Sequence, residues 1–367
     1  MPEGHSVHRI ARQFALHFVG KRITASSPQG RFAAGAEQID GHEMIASRAV
    51  GKQLFLEFDN DRFLRVHLGL YGAWDFAGDI TADATTASAR GRMGQTNQRG
   101  TTVQGGTAAQ EGAAVQGGAP VHGVSTVHGD STADAPDAAQ QTVERVTDAA
   151  GEDSLASIGA PRVARLRMAE QERLESIDSF PPEPVGAVRV RLLADDVVAD
   201  LRGPTACEVI SPEQVQAALA KLGPDPLVDP GKKSEDRFTA SVRKTATPIG
   251  LLLMDQSVVS GIGNVYRAEL LFRARLNPHT RGKDVPEETV RALWKDWTKL
   301  LRIGVELGQM MTMDRLSPRR YNEALAHRDS RHWVYHREGK PCRVCKTPIV
   351  MEMAAARKLY WCPVDQA

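Results

Sequence analysis

Three of the four cysteines lie in the last 26 residues, in a spacing typical of a metal site. Cys342 and Cys345 are two residues apart, and Cys362 and Asp365 repeat that spacing after sixteen intervening residues. Two such pairs on facing hairpin turns can surround one Zn²⁺ tetrahedrally. We therefore predict one structural zinc held by three thiolates and the Asp365 carboxylate. Two alternatives stay open: a hairpin that folds without metal, or a histidine as the fourth ligand, His332 or His336.

The N-terminal residues could supply a nucleophile and an acid. Removal of Met1 ahead of the small Pro2 would expose a secondary α-amine. With a pKa of about 7.7–8.0, much of that amine is neutral and nucleophilic at cellular pH. It could attack an aldehydic sugar carbon to form an iminium, while the neighbouring Glu3 donates and accepts protons. Taken alone, the two residues favour an ordinary N-terminus.

A third candidate is the segment Gly261–Tyr266, which reads GIGNVY and precedes a predicted helix. Glycine lets backbone N–H groups approach an anion, and a helix N-terminus favours phosphate. Asn264 could cap that helix while its amide faces the phosphate. Gly-x-Gly before a helix is more often only a turn, but its position in a strongly basic segment favours a nucleic-acid contact.

The charge of the chain is unevenly distributed. Lys and Arg number 46 against 45 Asp and Glu, and a net charge of +1 would ordinarily argue against a polyanionic partner. Residues 78–186 carry a net −7, however, and residues 231–367 carry +10. No apolar run is long enough to span a bilayer, and the cysteine usage indicates a reducing cytoplasm. The first residues lack a basic stretch followed by an apolar one, so we expect no secretory signal.

The elements that would position these residues flank a low-complexity segment. Between residues 78 and 186 the only aromatic residue is Phe180, and Gly, Ala, Thr, Gln, Ser and Asp dominate. Such a segment buries too little apolar surface to offset its ordering entropy, so we expect it to be largely disordered, with a short helix near 161–177. Hydrophobic periodicity predicts helices and strands elsewhere. The helices are 6–18, 265–274 and 287–307, and the strands are 53–58, 63–68, 187–193, 197–201 and a cysteine-bearing pair within 333–362.

Four features occur in one order along the chain: MPEG at the start, Gly51-Lys52 entering a strand, Asp255 to the GIGNVY segment, and the C-terminal Cys-x-x-Cys. Together they resemble the formamidopyrimidine-DNA glycosylase/endonuclease VIII family. The resemblance covers about 1–77 and 187–367. The start, MPEGHSVH, and the tail, VYHREGKPC, are more similar to the endonuclease VIII branch in its actinobacterial form.

The resemblance implies catalytic roles for three residues. Pro2 would be the nucleophile that forms a Schiff base with the sugar C1′. Glu3 would be the acid that protonates the sugar. Lys52 would contact the phosphate beside the lesion, where the sequence alone indicates only a solvated charge at a strand end.

The resemblance also implies a DNA-binding set. Asn264 would bind phosphate from a helix–two-turns–helix element, and Arg357 would hold the lesion phosphates from the zinc finger. Leu70 and Tyr71 would fill the gap left by the flipped base, because apolar wedges can occupy an opened base step. Asp365 departs from the family pattern, which has a cysteine there.

The implied fold is multidomain α+β. It has an N-terminal catalytic β-sandwich with a leading helix, a helical DNA-binding domain and a zinc-finger hairpin. The expected boundaries are 1–77 plus 187–222 for the sandwich, 78–186 for the insertion, 223–232 for a linker, 233–330 for the helices and 331–367 for the finger.

The implied function is a monomeric, bifunctional DNA glycosylase/AP lyase of base excision repair, associated with the bacterial nucleoid. It would act on damaged double-stranded DNA and remove oxidised bases, with pyrimidines favoured, by β,δ-elimination. The alternatives are the same chemistry on oxidised purines, or a non-catalytic damaged-DNA-binding protein. We expect that deleting 80–180 leaves folding and lesion cleavage largely intact.

Overall fold

The computed structural model describes residues 2–80, 157–160 and 180–367. Within these residues the N-terminal part is a sandwich of two antiparallel sheets. The strands are β1 Thr24–Ser26, β2 Met44–Val50, β3 Gln53–Phe58, β4 Arg62–His67, β5 Ala73–Gly78, β6 Ser157–Gly159, β7 Val188–Leu193, β8 Val197–Arg202 and β9 Ala206–Ile210. Their orders in the two sheets are β1-β7-β8-β5-β6 and β2-β3-β4-β9.

A leading helix, α1 (Gly4–His17), places the N-terminus against the rest of the molecule. It begins two residues before the predicted helix because Glu3 is its N-cap residue. Its apolar face, which includes Ile10 and Phe14, is buried in the sandwich core. Phe14 packs edge-on against Trp74, with ring centroids 4.8 Å apart. This packing fixes the direction in which residues 2 and 3 leave the helix.

The rest of the chain is a helical domain with a small β-hairpin. The hairpin strands, β10 (Val350–Ala354) and β11 (Arg357–Trp361), pair in register. Their neighbours Val334 and Tyr335 belong to the hydrophobic core of the helices, so finger and helices pack as one unit. The helices of the described chain are α2 Ala33–Glu37, α3 Pro212–Ala220, α4 Lys232–Arg243, α5 Ile249–Leu252, α6 Asn264–Arg273, α7 Glu287–Leu307 and α8 Pro318–Ala326.

The β-sandwich, helical domain and hairpin finger confirm the predicted fold class. One detail differs, because the hairpin strands do not carry the cysteines. Cys342 and Cys345 lie in the turn before β10, and Cys362 comes directly after β11. The predicted helix near 161–177 lies outside the described residues.

One strand lies within the range that we expected to be an insertion. β6 pairs antiparallel with β5, and its Ile158 faces Trp74 across the pair. Ile158 is completely buried in the sandwich core. Deleting 80–180 would therefore remove a core side chain and an edge strand, and the structure argues against our expectation that this deletion is harmless. The domain boundaries themselves stay a prediction.

A matched pair of deletions tests the role of β6. Removing 82–154 keeps β6, and we expect the free energy of unfolding to change by less than about 1 kcal/mol because loop length has a weak effect on closure entropy. Removing 80–180 should cost about 3 kcal/mol or more, since the buried Ile158 is lost. Urea unfolding of both variants measures this difference. Equal stability of the two variants would show that β6 contributes nothing to the core.

Candidate active site and metal centre

The carboxylate of Glu3 lies on the N-terminus of α6. It accepts hydrogen bonds from the backbone N–H groups of Gly263 and Val265, both at 2.8 Å, and from that of Tyr266 at 3.4 Å. Glu3 is completely buried. A helix N-terminus carries unpaired N–H groups and a partial positive charge, so it complements an anion. The acceptor that the structure places here is the chain's own side-chain carboxyl group.

Glycine is required where the N-terminus meets α6. A Cβ on Gly263 would lie 2.4 Å from Cδ of Glu3, and a Cβ on Gly4 would lie 2.9 Å from Cα of Gly261. The backbone N–H of Gly4 also donates to the carbonyl of Gly261 at 2.9 Å. Pro2 is buried beside this contact. The glycines of the GIGNVY segment therefore leave room for the N-terminal residues of the chain to pack against it.

Asn264 is in the first turn of α6, and the N-cap residue is Gly263, so the expected capping by Asn264 is wrong. The Asn264 Nδ2 donates to the carbonyl of Lys358 at 2.7 Å, and Nη2 of Arg267 donates to the same carbonyl at 3.0 Å. These bonds hold the start of β11 against α6. Arg357, the residue next to this carbonyl, is exposed at the hairpin turn.

Lys52 joins this group from the turn between β2 and β3. Burial lowers the pKa of Lys52. The charge of Glu3 acts in the opposite direction and the charge of Arg357 adds to the lowering, so the pKa lies below its ordinary value. These charge interactions indicate that residues 3, 52 and 357 lie in one region. The fold thus brings together three predicted site residues: Glu3 from the N-terminus, Lys52 from the turn between β2 and β3, and Arg357 from the finger.

His67 belongs to the same region, and the sequence analysis did not single it out. It lies opposite Gln53 in the pairing of β3 and β4. Burial lowers the pKa of His67, as do the nearby charges of Lys52 and Arg65. The available signal was its position at the end of β4, three residues before Leu70 of the expected wedge.

Leu70 and Tyr71 lie at the tip of the turn between β4 and β5. They are 44% and 52% exposed, unusual values for large apolar side chains next to a core strand. Gly69 has a φ of +64°, and a Cβ there would collide with Oγ1 of Thr205. The turn therefore presents two apolar side chains to solvent on a tightly constrained backbone, which suits insertion into a base stack.

A buried carboxylate fixes the turn that carries Lys52. Asp225 accepts a hydrogen bond from the backbone N–H of Gly51 at 2.6 Å and is bonded to Nε2 of His8 at 2.8 Å. It also accepts from the N–H of Leu227 at 2.9 Å. Burial alone would raise the pKa of Asp225, but the bonds from His8, Gly51 and Leu227 outweigh it, and the pKa lies below its ordinary value of 3.8.

The lowered pKa of Asp225 predicts how stability depends on pH. The stabilisation by the ionised group is complete above pH 3.8 and is lost as the pH falls through the lower folded-state pKa. We expect Asp225→Asn to lower the free energy of unfolding by about 2 kcal/mol at pH 7, and the gap to wild type to close in acid. Urea titrations from pH 7 to pH 2 test this. Asp59→Asn, at an exposed pair with His42, is the control and should have a smaller effect. A constant gap at all pH values would contradict the prediction.

The predicted metal ligands converge on one point. One ligand atom from each of Cys342, Cys345, Cys362 and Asp365 lies within 4.8 Å of every other. The two Sγ atoms of Cys345 and Cys362 are 3.4 Å apart, and Oδ2 of Asp365 is 3.5 Å from Sγ of Cys362. A tetrahedral zinc site places sulfur and oxygen ligands about 3.5–3.8 Å from one another. The donor set and spacing therefore fit Zn²⁺, and neither His332 nor His336 belongs to the cluster.

Comparison with known proteins places this geometry in a family. Three family models match in succession: "Formamidopyrimidine-DNA glycosylase N-terminal domain" at residues 1–104, "Formamidopyrimidine-DNA glycosylase H2TH domain" at 222–315, and "Zinc finger found in FPG and IleRS" at 339–367. The chain is 30% identical to Endonuclease 8 1 of Mycobacterium tuberculosis over 366 residues, which cover 100% of both proteins. The chain belongs to the formamidopyrimidine-DNA glycosylase/endonuclease VIII family.

Two further similarities extend the assignment. The formamidopyrimidine-DNA glycosylase of Thermus thermophilus is 36% identical over 152 residues, or 40% of this chain and 54% of that protein. The crystal structure of MutM (FPG) from the same organism has the same fold, with a TM-score of 0.58, 19% identity and coverage of 100% of this chain and 98% of that one.

Membership of the formamidopyrimidine-DNA glycosylase/endonuclease VIII family confirms several predictions. Its members are DNA glycosylases with AP lyase activity, so this chain is an enzyme of base excision repair. Its partner is damaged DNA, on which the family acts as a monomer, and its cofactor is one structural zinc. Among the described residues no helix is both long and apolar enough to cross a membrane.

Proposed function

We propose that this enzyme removes oxidised pyrimidines from double-stranded DNA through a Schiff base at Pro2. The arrangement that carries this proposal is the carboxylate of Glu3, held by three backbone N–H groups of α6 beside the buried Pro2. It puts an acid next to the chain's α-amine once Met1 is removed. The pyrimidine preference is what the resemblance to the endonuclease VIII branch implies. Full-length similarity to Endonuclease 8 1 supports that branch, whereas the Thermus glycosylase matches 40% of the chain.

The proposed steps need only the chain's own groups. The Pro2 nitrogen bonds to C1′ and gives up its proton as the bond to the base breaks, so the base leaves with that proton. Glu3 protonates the sugar ring oxygen, and the bond between C1′ and that oxygen breaks to give an iminium. The resulting iminium acidifies the C2′ hydrogens. Loss of one of them expels the 3′ phosphate by β-elimination, and δ-elimination then releases the 5′ phosphate. Hydrolysis of the last iminium frees Pro2.

The DNA-binding side chains would act before these steps. Lys52 and Arg357 share the region of Glu3 and would bind the phosphates that flank the flipped nucleotide, with Asn264 contributing an amide. Leu70 and Tyr71 would fill the vacated base step. A damaged base stacks and pairs less well, so its extrusion costs less than that of a normal base. We also propose that the enzyme acts on nucleoid DNA in the cytoplasm.

Borohydride trapping on a panel of duplexes tests this proposal. Each duplex carries one abasic site, one oxidised pyrimidine or one oxidised purine. We expect borohydride to reduce the iminium to a stable adduct with the abasic and pyrimidine duplexes, and mass spectrometry to locate it on Pro2. An adduct on a lysine, or none with protein whose N-terminus is Pro2, would overturn the nucleophile. Preferential reaction with the purine lesion would overturn the substrate assignment.

A further inference from the structure

The two carboxylate oxygens of Asp365 have different partners. Oδ2 faces the metal cluster, 2.9 Å from Sγ of Cys342 and 3.5 Å from Sγ of Cys362. Oδ1 forms an ion pair with Nη1 of Arg275. One oxygen is therefore available to a metal while the other is held by a cation.

Arg275 is itself well placed to hold that oxygen. It follows the C-terminus of α6 with a φ of +53°, in the left-handed region, so the chain turns sharply there. Its guanidinium carbon lies 5.0 Å from the ring centroid of Phe272, within the range of a cation–π contact. The arginine is thus oriented from one side by the ring and from the other by the carboxylate.

A second contact ties the same loop to the same turn. The buried side chain of Gln366 accepts from the backbone N–H of Cys362 at 2.9 Å and donates to the carbonyl of Leu276 at 3.0 Å. Two consecutive side chains of the finger's last turn therefore bond to the end of α6: Asp365 pairs with Arg275, and Gln366 bonds to Leu276. The end of α6 sets the position of this turn.

We propose that Arg275 is a positioning residue for zinc, and that it allows a carboxylate to serve where the family pattern has a cysteine. A free carboxylate can rotate and can offer one or both oxygens, whereas a thiolate offers a single atom. By holding Oδ1, Arg275 leaves only Oδ2 to complete the tetrahedron with the three sulfurs. Its charge also offsets part of the excess negative charge of three thiolates and a carboxylate around Zn²⁺. Partners of this kind outside the ligand shell are worth about 10–100-fold in metal affinity.

Zinc affinity should depend on Arg275 only while position 365 is an aspartate. In the full-length protein, Arg275→Gln should weaken zinc binding by about 10–100-fold, measured by competition with a chromogenic chelator. Asp365→Cys should bind zinc at least as tightly as wild type. In the Asp365→Cys background, Arg275→Gln should change the affinity by less than about threefold, because a thiolate needs no orienting cation.

Cobalt substitution provides a second readout that is independent of activity. The sulfur-to-Co²⁺ charge-transfer band should keep the intensity of three thiolates in Arg275→Gln and should gain a fourth thiolate in Asp365→Cys. Arg281→Gln, which removes an exposed arginine paired with Asp284, is the matched control and should leave zinc affinity unchanged. An unchanged affinity in Arg275→Gln, an equal loss in the Asp365→Cys background, or full affinity in Asp365→Ala would each overturn the proposal.

Discussion

Pro2→Gly is expected to lower release of a lesion base by at least about 10³-fold and to leave almost no borohydride-trapped adduct. A secondary amine gives an iminium that is positively charged at every pH, whereas the imine of a primary amine must first be protonated. Proline also fixes the direction of the attacking nitrogen, and glycine does not. The hydrogen bond from the N–H of Gly4 to the carbonyl of Gly261 fixes the chain from residue 4 onward. The conformation of residues 2 and 3 alone therefore determines the direction in which the amine points.

Two quantities are measured for Pro2→Gly. One is the single-turnover rate of base release, and the other is the affinity for a duplex that contains a reduced abasic site. Binding should stay within about threefold of wild type, because the proposed phosphate contacts of Lys52, Asn264 and Arg357 are untouched. The rival amine is Lys52, whose pKa is lowered by its burial. If Pro2→Gly keeps its activity and Lys52→Arg loses the adduct, the nucleophile is Lys52 and the proposed chemistry at Pro2 is wrong.

Local patterns in the sequence were sufficient for the most regularly patterned elements, whereas β2, β5, β9, α3, α4 and α8 were not predicted. The helix predicted at 287–307 is α7, residue for residue, because its apolar spacing and the Gly308 that ends it are properties of the segment itself. The strand pair at 53–58 and 63–68 is found within one residue of its predicted ends. These features depend on neighbours in the chain, which the sequence displays directly.

Contacts between distant residues could not be derived in this way. The GIGNVY segment indicated an anion at a helix N-terminus, but nothing local shows that the group bound there is the side chain of Glu3, some 260 residues earlier. The bonds from Asp225 to Gly51 and from Arg275 to Asp365 join segments that have no shared pattern. The resemblance to a family supplied Lys52 and Arg357, whose residue types alone indicate only surface charge.

Glu3→Gln is expected to separate base release from strand cutting. Base release needs a proton on the sugar, so it should fall by about 10²–10⁴-fold. A preformed abasic site already offers an aldehyde to Pro2, so cutting there should fall by less than about tenfold. Single-turnover assays on a lesion duplex and an abasic duplex measure the two steps separately.

Loss of fold is the competing explanation for Glu3→Gln, and the chain offers a matched control. Glu269 is also a completely buried carboxylate that accepts three backbone N–H groups, those of Trp333, Val334 and Tyr335. Glu269→Gln places an amide NH₂ against backbone donors just as Glu3→Gln does, so both variants should lose about 1–3 kcal/mol of unfolding free energy. Glu269 bonds to the segment from Trp333 to Tyr335 and has no proposed role as an acid, so its variant should lower both reactions equally or not at all. If Glu269→Gln shows the same selective loss of base release, or if Glu3→Gln loses both reactions together, Glu3 acts by holding α6 and not as the acid.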